Sequence, residues 1–241
     1  MADITFSVPA PGGVTELGGH LATPEGDGPW PGVVVLAEAT GLNADIRAQA
    51  DRLAAAGYLA LAPDLYHGRP WLRCVRAAFR DLNRGRGRAF DDIEAARSWL
   101  AGRDDCTGRV GVAGFCLGGG FALLAAARYD FQAACVNYGT VPRDAARALD
   151  GVCPVVATYG GRDRSLRGAA DRLERALTVL GVPHDVREYP DSGHGFLTDS
   201  RAPAPLAPIA KVVFALGEGR HNADDGWKRI FAFFGEHLAR A

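Results

Sequence analysis

Apolar positions along the chain follow two rhythms. Val33–Ala37, Val110–Ala113, Ala133–Asn137 and Val155–Tyr159 are short, nearly continuous apolar runs. Such runs suit strands buried on both faces. Between them, apolar residues recur at helical spacing: Ile46, Ala50, Leu53 and Ala54; Ile93, Ala96 and Leu100; Leu173, Leu177 and Leu180. Trp227, Ile230, Phe231, Phe234 and Leu238 mark one face of a C-terminal helix. Ile4–Val8 and Leu17–Leu21, split by a Pro-Gly-Gly, predict a hairpin. Tyr58–Ala62 and Val186–Tyr189 complete the predicted strands, and Gly119–Arg128 reads as an Ala- and Leu-rich helix. The Arg- and Gly-rich stretch 67–90 predicts a short helix and loops, with Asp91-Asp92 opening the next helix. Strands alternating with helices imply an α/β fold, with a mostly parallel sheet and helices on both faces. The chain reads as one domain, 1–241.

Composition narrows the function classes. Of 241 residues, 27 are Lys or Arg and 28 Asp or Glu, a net charge of −1 that argues against a broadly basic nucleic-acid or membrane surface. No apolar run approaches the roughly 18–20 residues that span a bilayer. The N-terminus lacks a basic segment followed by an apolar one, so a soluble, cytoplasmic protein is expected. Five cysteines, Cys74, Cys106, Cys116, Cys135 and Cys153, form no Cys-x-x-Cys pair and support neither a zinc ribbon nor a redox motif.

In open α/β sheets ligands bind beyond the carboxyl ends of the strands, so chemistry is sought just after each strand. Gly114-Phe115-Cys116-Leu117-Gly118 follows one strand and opens a helix. That is the pattern of a nucleophile elbow with cysteine in place of serine. Small residues two before and two after Cys116 let strand and helix approach. The helix N-terminus then favours a thiolate and a developing oxyanion. The alternative is a buried core cysteine. None of the five serines stands between the required glycines. After the last strand, Ser192-Gly193-His194-Gly195-Phe196 presents an imidazole on a tight loop. Asp163, after Val155–Tyr159, is placed to orient it, with Asp191 as a competitor and a turn cap as the bland reading. The order Cys116, Asp163, His194 is the nucleophile–acid–base order of α/β-hydrolases. Glu38, after Val33–Ala37, falls on the loop that supplies the second oxyanion donor in such folds.

These residues make the sequence resemble the dienelactone hydrolase family of α/β-hydrolases. The resemblance runs from the Val33 strand to about Phe196. It is carried by Glu38–Leu42, Gly57-Tyr58, Ala62–Tyr66, Gly114–Gly119, Asp163 and Ser192–Phe196. It implies an α/β-hydrolase fold and hydrolysis of a lactone or small activated ester, dienelactone (carboxymethylenebutenolide) being the namesake, without metal or organic cofactor. By resemblance, Cys116 is the nucleophile, His194 the base and then acid, and Asp163 the orienting acid. Glu38 would hold the resting thiol and accept its proton when substrate displaces it. The N–H groups of Leu117 and Ala39 would form the oxyanion hole.

Two departures bear on the substrate. Members of the family meet a substrate carboxylate with an arginine four residues after the histidine, and Thr198 stands there in this chain. Arg69, Arg73, Arg76 and Arg201 are candidates to supply that charge, each with solvated surface as the alternative. Tyr66, Trp71, Phe115 and Phe196 are candidate pocket walls, Phe115 with core as an equal alternative. The Pro- and Ala-rich segment 201–226 is a candidate added lid or substrate loop. A broader carboxylesterase of the same family and a catalytically silent, ligand-binding relative remain as alternatives. A monomer with a small-molecule substrate is expected.

Overall fold

The computed structural model describes residues 2–10, 13–199 and 212–239. Its eight strands form one sheet in the order β1-β2-β4-β3-β5-β6-β7-β8. β1 (Ala2–Ala10) and β2 (Gly13–Ala22) are the predicted hairpin, extended at both ends. β2 runs antiparallel to β4 (Leu59–Pro63). From there β3 (Trp30–Leu36), β5 (Cys106–Phe115), β6 (Ala134–Asn137), β7 (Val155–Gly160) and β8 (His184–Tyr189) are all parallel.

Alternation along the strands divides the core. Val34, Leu36, Leu59, Leu61, Val112 and Val136 face one side. There they meet α3 (Arg88–Ala101), α4 (Leu117–Ala126) and α6 (Ala169–Leu180) through Ile93, Phe121 and Leu173. Val33, Val35, Ala60, Ala62 and Cys135 face the other. They are covered by α1 (Ala44–Ala55) and α7 (Ala223–Leu238) through Ile46, Leu53, Trp227, Ile230 and Phe234. Each fully buried Val or Leu contributes about 1.5–3 kcal/mol of apolar burial, which is why the continuous runs sit at the centre of the sheet. Gly111 lets the C-terminus of α7 close on β5, since a Cβ there would lie 2.9 Å from Leu238 Cδ1.

The stretch 67–90 departs from expectation. Its centre is α2 (Trp71–Arg84), a helix of 14 residues rather than a short one, followed after a break by α3 starting at Arg88. Arginine is a good helix former, and apolar residues recur at helical spacing at Trp71, Val75, Ala78 and Leu82, although α2 buries only Ala78, Asp81 and Leu82. Gly85, at φ 61°, ends it in the left-handed conformation that glycine adopts without strain. A four-residue helix, α5 (Ala145–Ala148), precedes β7.

The chain runs from β3 through α1 to β4 on one side, then crosses back to β5 on the other side of β3. β3 and β5 therefore meet at the topological switch point, with Leu36 paired to Gly114. Glu38 and Cys116 follow directly from these two strand ends.

Candidate active site

Cys116 sits between β5 and α4 at φ 55° and ψ −114°, a strained conformation for a residue with a side chain. Three contacts hold it. Its N–H donates to the Asn137 carbonyl at 3.0 Å, and its carbonyl accepts from Gly119 and Gly120 N–H at 3.0 and 3.3 Å. The flanking glycines are demanded by backbone packing. A Cβ on Gly114 would stand 2.0 Å from the Gly118 carbonyl oxygen, and one on Gly118 would stand 2.2 Å from that of Leu36. Leu117 is the first residue of α4. The N–H of a first helical residue such as Leu117 has no partner within its own helix and points outward.

Asp163 caps a single 3₁₀ turn, Arg164–Leu166, immediately after β7. Its Oδ1 accepts from Ser165 N–H at 2.9 Å and from Ser165 Oγ at 2.6 Å. Its Oδ2 lies 2.6 Å from His194 Nδ1. The carboxylate is thus both the turn cap and the imidazole's partner. Asp191 is not in competition: it is exposed and faces Arg162. The His194 loop is pinned by its own N–H, which donates to the Phe214 carbonyl at 2.7 Å. The rings of Tyr138 and Phe214 flank the imidazole with centroids at 4.9 and 5.3 Å. Burial pulls the imidazole pKa down, but the charge of a Cys116 thiolate and the hydrogen bond to Asp163 outweigh it and carry His194 up to about 10.

Glu38 is buried. Its Oε1 accepts from the Thr198 hydroxyl at 3.1 Å, and that oxygen accepts from the Tyr138 hydroxyl at 3.2 Å. Thr198 therefore occupies the place of the expected arginine with a neutral contact to the Glu38 carboxylate. Glu38 also starts a tight turn, its carbonyl accepting from Gly41 N–H at 2.9 Å, with Gly41 at φ +79°. Inside that turn the Ala39 carbonyl accepts two side-chain hydrogen bonds, from Tyr66 Oη at 3.0 Å and Trp71 Nε1 at 2.7 Å.

Beside the turn lies a cleft of about 650 Å³, open mouth included, walled by Glu38, Leu42, Tyr66, Leu117 and Phe121 and by the Cys74, Ala77, Ala78 and Asp81 side of α2. Arg69, Arg88 and His67 also line it, whereas Arg73, Arg76 and Trp71 do not. Arg201 lies outside the described residues. Two expectations need correction. Phe115 and Phe196 are fully buried and form no wall of the cleft. Phe115 packs against Tyr138 and Trp227, and Phe196 against Tyr138 and Tyr189, because strand and loop alternation turns both into the core. Of the candidate lid segment, 201–211 lie outside the described residues; within the rest, the Glu218 and Gly219 carbonyls accept from Gly193 N–H at 3.1 Å and Ser192 Oγ at 3.0 Å and so brace the His194 loop. Residues 223–226 open α7.

Sequence reasoning missed Tyr138, Arg88 and the His67–Asp92 pair, in which Nε2 and Oδ2 are 2.7 Å apart. Tyr138 and His67 take positive φ, of 42° and 53°, at positions without glycine, so no sequence signal marked them.

A mostly parallel sheet covered on both faces, with a strained cysteine at the turn after its central strand, defines a hydrolase of the α/β-hydrolase fold. The model of the dienelactone hydrolase family matches residues 17–238, and the chain belongs to that family of lactone and ester hydrolases. The carboxymethylenebutenolidase of Rhodococcus opacus is 30% identical over 236 residues, covering 91% of this chain and 85% of the relative. A solved Klebsiella pneumoniae protein assigned as a dienelactone hydrolase superposes with TM-score 0.75 at 27% identity, over 98% of this chain and 100% of the other. The dienelactone hydrolase of Anabaena variabilis, at 23% identity and TM-score 0.69 over 99% of each chain, shares the fold.

Proposed function

We propose that the protein hydrolyses a lactone of the dienelactone type through a Cys116–His194–Asp163 triad and an acyl-enzyme. The observation that supports it best is the 2.6 Å contact between His194 Nδ1 and Asp163 Oδ2. It engages Nδ1 and leaves Nε2 for the thiol. His194, its pKa raised to about 10, stays protonated and pairs with the thiolate once Glu38 has taken the thiol proton. The thiolate sulfur attacks the lactone carbonyl carbon, and the oxyanion is received by the N–H groups of Leu117 and Ala39. Collapse breaks the ring C–O bond, and His194 gives its proton to the departing oxygen. A thioester remains on Cys116. Neutral His194 then takes a proton from water, and the hydroxide adds to the thioester carbonyl. Expulsion of the thiolate releases the acid and restores the ion pair. Glu38, beside the oxyanion loop, takes the thiol proton while the resting cysteine is being activated.

Arg69 in the cleft faces the end of a substrate that bears a carboxylate. The protein works as a cytoplasmic monomer, with no metal or organic cofactor. The test is turnover of a dienelactone and of p-nitrophenyl acetate by wild type, with Cys116→Ala as the blank. Turnover of both in the wild type, and of neither in Cys116→Ala, is expected. Wild-type rates in Cys116→Ala overturn the mechanism. Arg69→Gln is expected to raise KM for dienelactone but not for the neutral ester; a dienelactone KM unchanged from wild type removes Arg69 from the site.

A further inference from the structure

We infer that Tyr66 and Trp71 are positioning residues of the oxyanion loop, clamping the Ala39 carbonyl so that the Ala39 N–H is held toward the reacting carbonyl oxygen. The inference rests on the reading of Ala39 as an oxyanion donor. It adds the device that aims that donor.

The argument starts from peptide planarity. In a trans peptide the C=O and N–H point in opposite directions. The Ala39 N–H belongs to the peptide whose carbonyl is that of Glu38, and Gly41 N–H holds that carbonyl at 2.9 Å. The next peptide carries the Ala39 carbonyl, held by the Tyr66 hydroxyl at 3.0 Å and the Trp71 indole at 2.7 Å. Both planes that meet at Ala39 are therefore tied, one from inside the turn and one from outside. Gly41 takes part sterically as well, since the Tyr66 ring lies against it: a Cβ on Gly41 would stand 2.9 Å from Tyr66 Cδ2.

The clamp has a rigid base. Asp64 Oδ1 accepts from Tyr66 N–H and Oδ2 from Gly68 N–H, both at 3.0 Å. The Tyr66 carbonyl accepts from Arg69 N–H at 3.0 Å and from the Cys74 thiol at 3.5 Å. Trp71 is the first residue of α2, so the helix that forms one side of the cleft also grips the oxyanion loop. Burial pushes the Tyr66 phenol up to about 12, with the charges of Cys74 and Cys116 adding to it, so the hydroxyl stays a donor throughout the working pH range. A solvent-side tryptophan and a cleft tyrosine converging on one carbonyl fit no need of the hydrophobic core. They fit preorganisation of a donor, where a displacement of about 1 Å can cost on the order of 10²-fold in rate.

The test compares Tyr66→Phe, Trp71→Phe and the double variant. Tyr66→Phe removes only the hydroxyl donor; Trp71→Phe keeps an aromatic ring but removes the N–H donor together with part of the indole. Hydrolysis of p-nitrophenyl acetate is measured beside alkylation of Cys116 by iodoacetamide, a reaction that builds no oxyanion. The expected result is a kcat lowered about threefold to tenfold in each single variant. In the double variant the fall exceeds the product of the singles and approaches the 10²–10³-fold loss typical of a missing oxyanion donor. KM and the alkylation rate stay within about threefold of wild type. A double variant with wild-type kcat overturns the clamp. So does an alkylation rate that falls in parallel with kcat, which would mark general damage to the cleft. Failure of the underlying mechanism has a different signature: wild-type protein alkylated at Cys116 would keep its esterase activity.

Discussion

Asp163 Oδ2 and His194 Nδ1 are 2.6 Å apart, while the other carboxylate oxygen is taken by the backbone and side chain of Ser165. The carboxylate cannot rotate without giving up those two bonds, so the imidazole has one orientation. Asp163→Asn places an amide where His194 needs an acceptor. It is expected to lower kcat by about 10²–10⁴-fold while Cys116 remains in place. Ester turnover set against the far-ultraviolet circular dichroism of the variant checks this, and a loss under threefold would remove Asp163 from the catalytic unit.

The raised pKa of His194 makes a statement about stability. Its value is about 10 in the folded protein, against 6.5 for the ordinary imidazole. The folded state therefore holds the proton more tightly. The stabilisation is fully present below about pH 6.5 and is lost as pH rises through about 10. Urea unfolding of wild type and His194→Gln should show a larger stability gap at pH 6 than at pH 10.5. An equal gap at the two pH values contradicts the assignment.

Thr198 joins two buried groups, accepting from Tyr138 and donating to Glu38. Thr198→Val preserves shape but strands the Tyr138 hydroxyl, at a cost of about 1–3 kcal/mol. Thr198→Ser is expected to retain wild-type stability. Adding Tyr138→Phe to Thr198→Val should recover part of the loss, because the unsatisfied donor goes with it. Urea midpoints of the four proteins decide; a more stable Thr198→Val would show that the hydroxyl bonds are not stabilising.

Phe115 adjoins the nucleophile in sequence yet points into the core. Phe115→Ala is expected to cost about 3–5 kcal/mol of stability. Phe115→Leu, which folds with a smaller penalty, should leave KM for neutral esters within twofold. A large KM change in the leucine variant would return Phe115 to the substrate site.

Much of the fold was legible from periodicity, because continuous apolar runs and helical stripes report burial directly. Ile46, Ala50, Leu53 and Ala54 form the buried face of α1 as their spacing predicts. The length of α2 was not read: its apolar residues Trp71, Val75, Ala78 and Leu82 do share a face, but arginines stand between them, and Trp71, Leu72 and Phe79 are left exposed. Side-chain direction at the site was the other gap. Phe196 read as a candidate pocket wall, and Phe115 as a pocket wall or core equally. A residue next to a catalytic position can face the opposite side of the sheet.

Sequence alone determined the order of strands and helices, the strained turn around Cys116 and the candidates after each strand end. Gly114 and Gly118 write steric need into the chain locally, and strand ends are local features. Only the tertiary structure decided which of these meet. Asp163, not Asp191, reaches His194, because β7 ends beside the loop that carries the histidine while Asp191 turns out to solvent. Likewise only folding brought Tyr66 and Trp71 onto the Ala39 carbonyl, and Thr198 onto Glu38 across 160 positions. Hydrogen bonds between distant segments depend on how strands pair and loops close, and no short-range pattern in the sequence encodes them.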